Sequence, residues 1–149
     1  MKCLKTYNNV IPSNINNVRT VIDDLICNLC DCLNGGLNDS VIFDLKVVLN
    51  EMIINAIRHG NKEDENKSVK IKAGIAVNKN LFIIIEDEGS GYNFKDICDR
   101  CKSYDETVDV LETKDCGRGI MIVRGLCDRV KVNAKGNKIV ILKRINETH

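Results

Sequence analysis

Hydrophobic positions along this chain change their period several times, and each change marks an element. Ile15, Val18, Ile22, Leu25, Ile26 and Leu29 recur at three- and four-residue steps, which is one face of a helix. Ser13, after Pro12, is its expected N-cap, and "KTYNNVI" before it reads as a short first strand. "NGGLND" at 34–39 breaks the pattern. A second helix is expected from Asp39 to His59, with Gly60 as its stop. Its broad apolar face comprises Leu45, Val48, Leu49, Met52, Ile53, Ala56 and Ile57.

The period then falls to two. "SVKIKAGIAV" alternates, as a half-buried strand does, and "LFIIIEDEG" is an apolar strand ending abruptly in acid. Residues 92–116 are polar and irregular, apart from a short helix predicted near Phe94–Cys101. Such a stretch inside a compact domain is a lid or a disordered loop. "GRGIMIVRGLCDRV" predicts a helix opened by glycines, and "VKVNAKGNKIVILKR" a hairpin. Two helices, two strands, a lid, a helix and two strands predict one α/β two-layer sandwich, with a mixed or antiparallel sheet and helices on one face.

Three polar insertions interrupt the apolar elements. On the second helix, Asp44, Glu51, Asn55 and Arg58 form a narrow polar stripe. Positions i and i+4 lie roughly 5–6 Å apart at Cβ, so Glu51 and Asn55 can act on one small object. A carboxylate beside an amide oxygen suits Mg²⁺ or its water shell, and the carboxylate can take a hydroxyl proton. The bland alternative is a solvated stripe. Next, Glu86, Asp87 and Glu88 are followed by Gly89, Ser90 and Gly91. A carboxylate there can accept from an exocyclic amine such as that of adenine, and the glycines let a ligand approach; a plain turn with solvated acids is the alternative. Last, Gly117 and Gly119 open a helix whose N-terminus suits phosphate, with Arg118 between them. Against this stands a simple lid hinge.

Composition narrows the classes. Lys and Arg total 22 against 21 Asp and Glu, a balance that gives no reason to expect nucleic acid. No apolar run approaches the roughly 20 residues that span a bilayer, and "MKCLKTYNNVIPS" has no signal-peptide core; a cytoplasmic chain is expected. Eight cysteines are many. "CNLCDC" and "CDRC" have zinc-like spacing. The pairs lie far apart, however, and Cys27 and Cys30 sit at helical spacing in an apolar stripe. Buried small residues and free thiols are the simpler expectation. A redox-sensitive lid carrying Cys98, Cys101 and Cys116 is a further hypothesis, testable by iodoacetamide labelling against ATP affinity.

"NEMIINAIRHGN" resembles the N-box, "DEGSG" the first glycine box and "GRGI" the second glycine box of the GHKL ATP-binding superfamily. "NAIRHG" with "DEGSG" is more narrowly similar to the anti-sigma factor serine/threonine kinases of the SpoIIAB and RsbW type. The resemblance spans about residues 10–144. It implies a Bergerat-type fold, Mg²⁺ and ATP as cofactors, and a homodimer. It also implies two partners: a sigma factor that is sequestered, and an anti-anti-sigma STAS-domain protein phosphorylated on serine or threonine. Carried over, Glu51 is the general base and Asn55 the Mg²⁺ ligand. Asp87 accepts from the adenine amine, Gly91 sits against the base, and Gly89 is also a nucleotide-binding position. Gly117, Arg118, Gly119 and Ile120 close around the phosphates, Lys114 is the nearest cation for the γ-phosphate, and Arg19 in "NNVRTV" docks partners.

The chain departs from the family in two places. Asn137 and Lys138 stand where the family often has Gly-Thr, and Asp115 and Cys116 separate Lys114 from the second glycine box. These bear on rate more than on nucleotide binding. The competing readings are an ATP-gated anti-sigma binding module without useful kinase activity, a detached ATP-binding domain of a histidine kinase, and an ATPase of the topoisomerase or chaperone class. The only histidines, His59 and His149, lie outside any phospho-acceptor helix.

Overall fold

The computed structural model describes residues 3–33, 35–76, 79–89 and 115–145. β1 (Cys3–Pro12) leads through a 3-10 turn (Ile15–Asn17) into α1 (Val18–Asp31). α2 (Asp39–Asn55) ends in a wide π turn (Ala56–Gly60). β2 (Ser68–Ala76), β3 (Asn80–Glu86), α3 (Asp115–Leu126), β4 (Arg129–Val132) and β5 (Lys138–Arg144) follow. The strands form one sheet in the order β1-β2-β3-β5-β4, antiparallel at every described pairing.

The period-two pattern decides which face meets the helices. Ile71 pairs with Ile85, Ala73 with Ile83 and Ile75 with Leu81 across β2 and β3. Ile85 and Ile83 pair onward with Ile139 and Ile141 of β5. All eight are buried, and they pack against Leu25 and Leu29 of α1, Leu45, Val48, Leu49, Met52 and Ile53 of α2, and Ile120 and Val123 of α3. Of the three consecutive isoleucines, Ile84 points the other way and is only half-buried. Lys70 and Lys72 on that outer face are exposed, and so is Val10, at 60%. The two-layer sandwich with helices on one face is therefore present, and the sheet is antiparallel throughout the described residues.

Several boundaries differ from the sequence expectation, each for a local reason. Ser13 does not cap a helix. It is buried, its hydroxyl donates to the Lys67 carbonyl at 2.7 Å, and so does its backbone N–H at 3.2 Å. Asn14 caps instead, accepting from the Asn16 N–H. Asn38 caps α2, its Oδ1 2.9 Å from Val41 N. The second helix stops being α-helical at Asn55 rather than running to His59. The Asn61 N–H reaches back five residues to the Ala56 carbonyl at 2.8 Å, and such wide turns recur at functional sites. The last residues of the expected "GRGIMIVRGLCDRV" helix are a strand, because Arg129 and Val130 pair with Leu142 and Ile141. α3 also begins at Asp115, so 115 and 116 of the expected lid are helical; 90–114 and the short helix predicted there lie outside the described residues. Among the described residues no helix is long and apolar enough to cross a membrane.

Candidate nucleotide site

α2 brings Glu51 and Asn55 together as the spacing requires. Glu51 is half-buried, and Asn55 is buried at 5% exposure. The Asn55 Nδ2 is buried with no hydrogen-bond partner among the described residues. An unpaired buried amide is costly and calls for an explanation. α3 passes directly over the pair at Gly119. A Cβ there would stand 2.7 Å from Glu51 Oε2 and 3.2 Å from Asn55 Nδ2. Gly119 is thus glycine because a helix backbone lies on the Glu51–Asn55 pair.

The rest of the stripe divides. Asp44 forms an ion pair with Lys143 at 3.1 Å, and the Lys143 ammonium also donates to the Leu126 carbonyl at 2.6 Å. That pins the start of α2 to the end of α3 and to β5. Arg58 and His59 are exposed.

A second cluster forms where the π turn meets the end of β3. Asp87 is 4% exposed. Its Oδ1 accepts from the Gly89 N–H at 2.8 Å. A Cβ on Gly60 would collide with the Asp87 carboxylate, and one on Gly89 would collide with the Gly60 carbonyl. Gly60, expected as a helix stop, is the last residue of the π turn, and Gly60 and Gly89 both seat Asp87 by close packing. Burial pushes the Asp87 carboxyl above the usual carboxylate range, the Gly89 N–H opposing it. Asn137 braces the residue from β5. Its Nδ2 donates to the Asp87 carbonyl, and its own carbonyl accepts from the Asp87 N–H, both at 2.9 Å. The position flagged by its departure from the family therefore does stand beside Asp87.

The other expected residues fall as follows. Gly117 lies in the first turn of α3, inside the helix rather than opening it. Ile120 is fully buried in the core, which leaves only its backbone to the site. Arg19 is exposed in the first turn of α1. Gly91, Lys114, Cys98, Cys101 and the side chains of Arg118 and Cys116 lie outside the described residues. Cys27 is exposed and Cys30 and Cys32 are half-buried; among the described residues, no three metal-ligating side chains come together. Asn61, fully buried beside Asp87, was not foreseen, because one polar residue after "RHG" carries no periodic signal.

The histidine kinase-like ATPase domain family matches residues 11–143. The chain belongs to this family. Among its relatives is the serine-protein kinase RsbW of Bacillus subtilis (strain 168), 31% identical over 106 residues, or 70% of this chain and 66% of that protein. The serine-protein kinase RsbW of Listeria monocytogenes is 27% identical over 114 residues, covering 76% and 72%. The match thus spans about two thirds of these relatives' length. The histidine kinase domain of the Erythrobacter litoralis EL346 blue-light activated histidine kinase superposes with a TM-score of 0.52 at 15% identity, over 91% of this chain and 62% of that one. The family likeness and this superposition agree with the antiparallel sheet and one helical layer.

Proposed function

We propose that this chain is a Mg²⁺·ATP-dependent serine/threonine kinase that phosphorylates an anti-anti-sigma STAS-domain protein and sequesters a sigma factor. Support for the kinase comes from the relatives named as serine-protein kinases and from the family match. The partner assignments rest on the resemblance of "NAIRHG" and "DEGSG". The single observation that carries the chemistry is the Glu51 carboxylate, half-buried one turn from buried Asn55 beneath Gly119.

The donor set fits the cofactor. The Asn55 side chain carries an amide oxygen as well as the unpartnered buried nitrogen. With Glu51 beside it, that is a hard oxygen pair of the kind Mg²⁺ takes. Mg²⁺ would neutralise charge on the transferring phosphoryl group. Asn55 would hold it, and Asp87 would accept from the adenine amine. Glu51 would orient the substrate hydroxyl and take its proton as the new O–P bond forms and the bond to the ADP leaving group breaks. Packing α3 over these groups excludes water. Arg19, exposed in the first turn of α1, is the proposed partner-docking residue.

Thermal stabilisation by ATP tests binding, and phosphoryl transfer tests chemistry. At 100 times its Kd, ATP should stabilise the fold by roughly 2.7 kcal/mol, a melting shift of about 5–10 °C for this size. Glu51→Gln should keep that shift and lose transfer to a STAS-domain substrate. Transfer undiminished in Glu51→Gln would remove Glu51 as the base. No shift in the native chain would remove the kinase reading.

A further inference from the structure

Asn61 is the most completely engaged buried side chain beside the site. It is 0% exposed. Its Nδ2 donates to the Ser13 Oγ at 2.8 Å and to the Ser68 carbonyl at 2.9 Å. Its Oδ1 accepts from the Glu88 N–H at 2.8 Å. A carboxamide has two donors and one acceptor oxygen, and both ends are engaged. The orientation is also unambiguous. The Ser68 carbonyl can only accept and the Glu88 N–H can only donate, so a flipped amide would oppose like groups at both ends.

This side chain joins three segments. Ser13 follows β1, and its hydroxyl hydrogen goes to the Lys67 carbonyl, which leaves its oxygen to accept from Asn61. Ser68 begins β2, and its N–H is taken by the Glu88 carboxylate. Glu88 and its neighbours Asp87 and Gly89 form the loop that would meet the base. Asn137 holds the Asp87 backbone from the β5 side, and Asn61 holds Glu88 from the π-turn side. The Asp87 carboxylate sits between, over Gly60.

We propose that Asn61 is a positioning residue that sets discrimination for the exocyclic amine of the purine, acting through the Glu88 N–H to aim the Asp87 carboxylate. The proposal rests on the reading of Asp87 as the base acceptor. Hydrogen bonds weaken steeply with misalignment. Without Asn61 the Glu88 N–H loses its acceptor, and on that side only the contact of the Glu88 carboxylate with the Ser68 N–H still holds the loop. In the function proposed above, contacts to phosphate and Mg²⁺ would come from α2 and α3 rather than from this loop. The loss should therefore fall on the base contact rather than on nucleotide affinity in general.

The test compares the Kd values of ATP and inosine triphosphate, which has a carbonyl oxygen in place of the amine. The native chain should prefer ATP by about 10- to 100-fold, as expected for a hydrogen bond to a charged acceptor. Asn61→Ala should cut that ratio about tenfold while changing the inosine triphosphate Kd little. Ser13→Ala removes one of the two acceptors for the Asn61 amide and should give a smaller loss in the same direction. If Asn61→Ala does not fold, Ser13→Ala decides. Leu29→Ala, in the α1 core, should lower the melting temperature and leave the ratio intact. A preserved ratio in folded Asn61→Ala overturns the positioning role and leaves the Asp87 reading standing. An equal collapse in Leu29→Ala overturns it too, because the effect is then general loosening. A native chain without preference for ATP removes the Asp87 reading and the proposal together.

Discussion

Replacing Gly119 by alanine tests the placement of Glu51 without touching Glu51. The added Cβ would stand 2.7 Å from Glu51 Oε2 and 3.2 Å from Asn55 Nδ2, where ordinary contact begins at 3.4 Å. The carboxylate must move by about 0.7 Å and the amide by about 0.2 Å. Glu51 can swing at little cost, being half-buried on a flexible side chain. Alanine is also the better helix former, by up to about 1 kcal/mol. The fold should therefore melt at or slightly above the native temperature. Catalysis should not survive as well. Displacing a reacting group by about 1 Å can cost on the order of 100-fold, so transfer from ATP to a STAS-domain substrate should fall roughly 10- to 100-fold. Single-turnover transfer and a melting curve on the same preparation separate the two effects. An unchanged rate with an unchanged melting temperature would refute the reasoning, since the crowding would then displace nothing that matters.

Asp87→Asn should weaken ATP binding by about 10- to 100-fold, measured by titration calorimetry. It should also stabilise the unliganded fold near neutral pH. The native Asp87 pKa is raised, chiefly by burial, so the folded state binds its proton more tightly than the unfolded chain does. The native protein then loses stability as pH rises from about 4 through that raised value, while the amide does not titrate. The melting advantage of Asp87→Asn should grow across that window and level off above it; a pH-independent difference would contradict the burial argument. Gly60→Ala places a Cβ into the Asp87 carboxylate and should cost about 1–3 kcal/mol as an overpacked site, read by urea unfolding, with ATP affinity lost as well. Lys143→Met removes the Asp44 ion pair and the bond to the Leu126 carbonyl, for a cost of about 1–3 kcal/mol; a smaller loss would mean that α3 is held by packing alone. Burial pushes the Cys127 thiol up to about 11, and the thiolate is the reactive form. Peptide mapping after brief alkylation at pH 8 should find exposed Cys27 modified well before Cys127.

The layers were legible in the chain because its periods are strict. Val69, Ile71 and Ala73 alternate with Lys70 and Lys72, and the α2 apolar residues keep helical spacing, so the sheet face and the helix face both follow. Glu51 and Asn55 were legible because each is polar where the surrounding helix is apolar, and Asp87 because acid follows an apolar strand and precedes glycines. What stayed hidden depends on long-range partners. Ser13 looks like a cap until Lys67 claims its hydroxyl. Arg129 and Val130 continue a helical pattern until β5 pairs with them. Gly60 fits a helix terminus equally well whether or not a carboxylate lies against it. Asn61 has no neighbours in sequence that reveal its three partners in space.

The π turn explains how one helix can serve two ends of a site. Had α2 continued with regular spacing to His59, Gly60 and Asn61 would follow Asn55 on an ordinary helical path. Instead the chain closes a five-residue bond from Asn61 to Ala56 and inserts extra backbone before Gly60. That sets Gly60 beneath Asp87 and puts Asn61 under Glu88. The Glu51–Asn55 pair and the Asp87 loop are then tied through one continuous backbone segment. Distances between them are governed by that segment. A nucleotide bridging both clusters would meet a spacing already set by α2 and its last turn, and would spend little of its binding energy on arranging them.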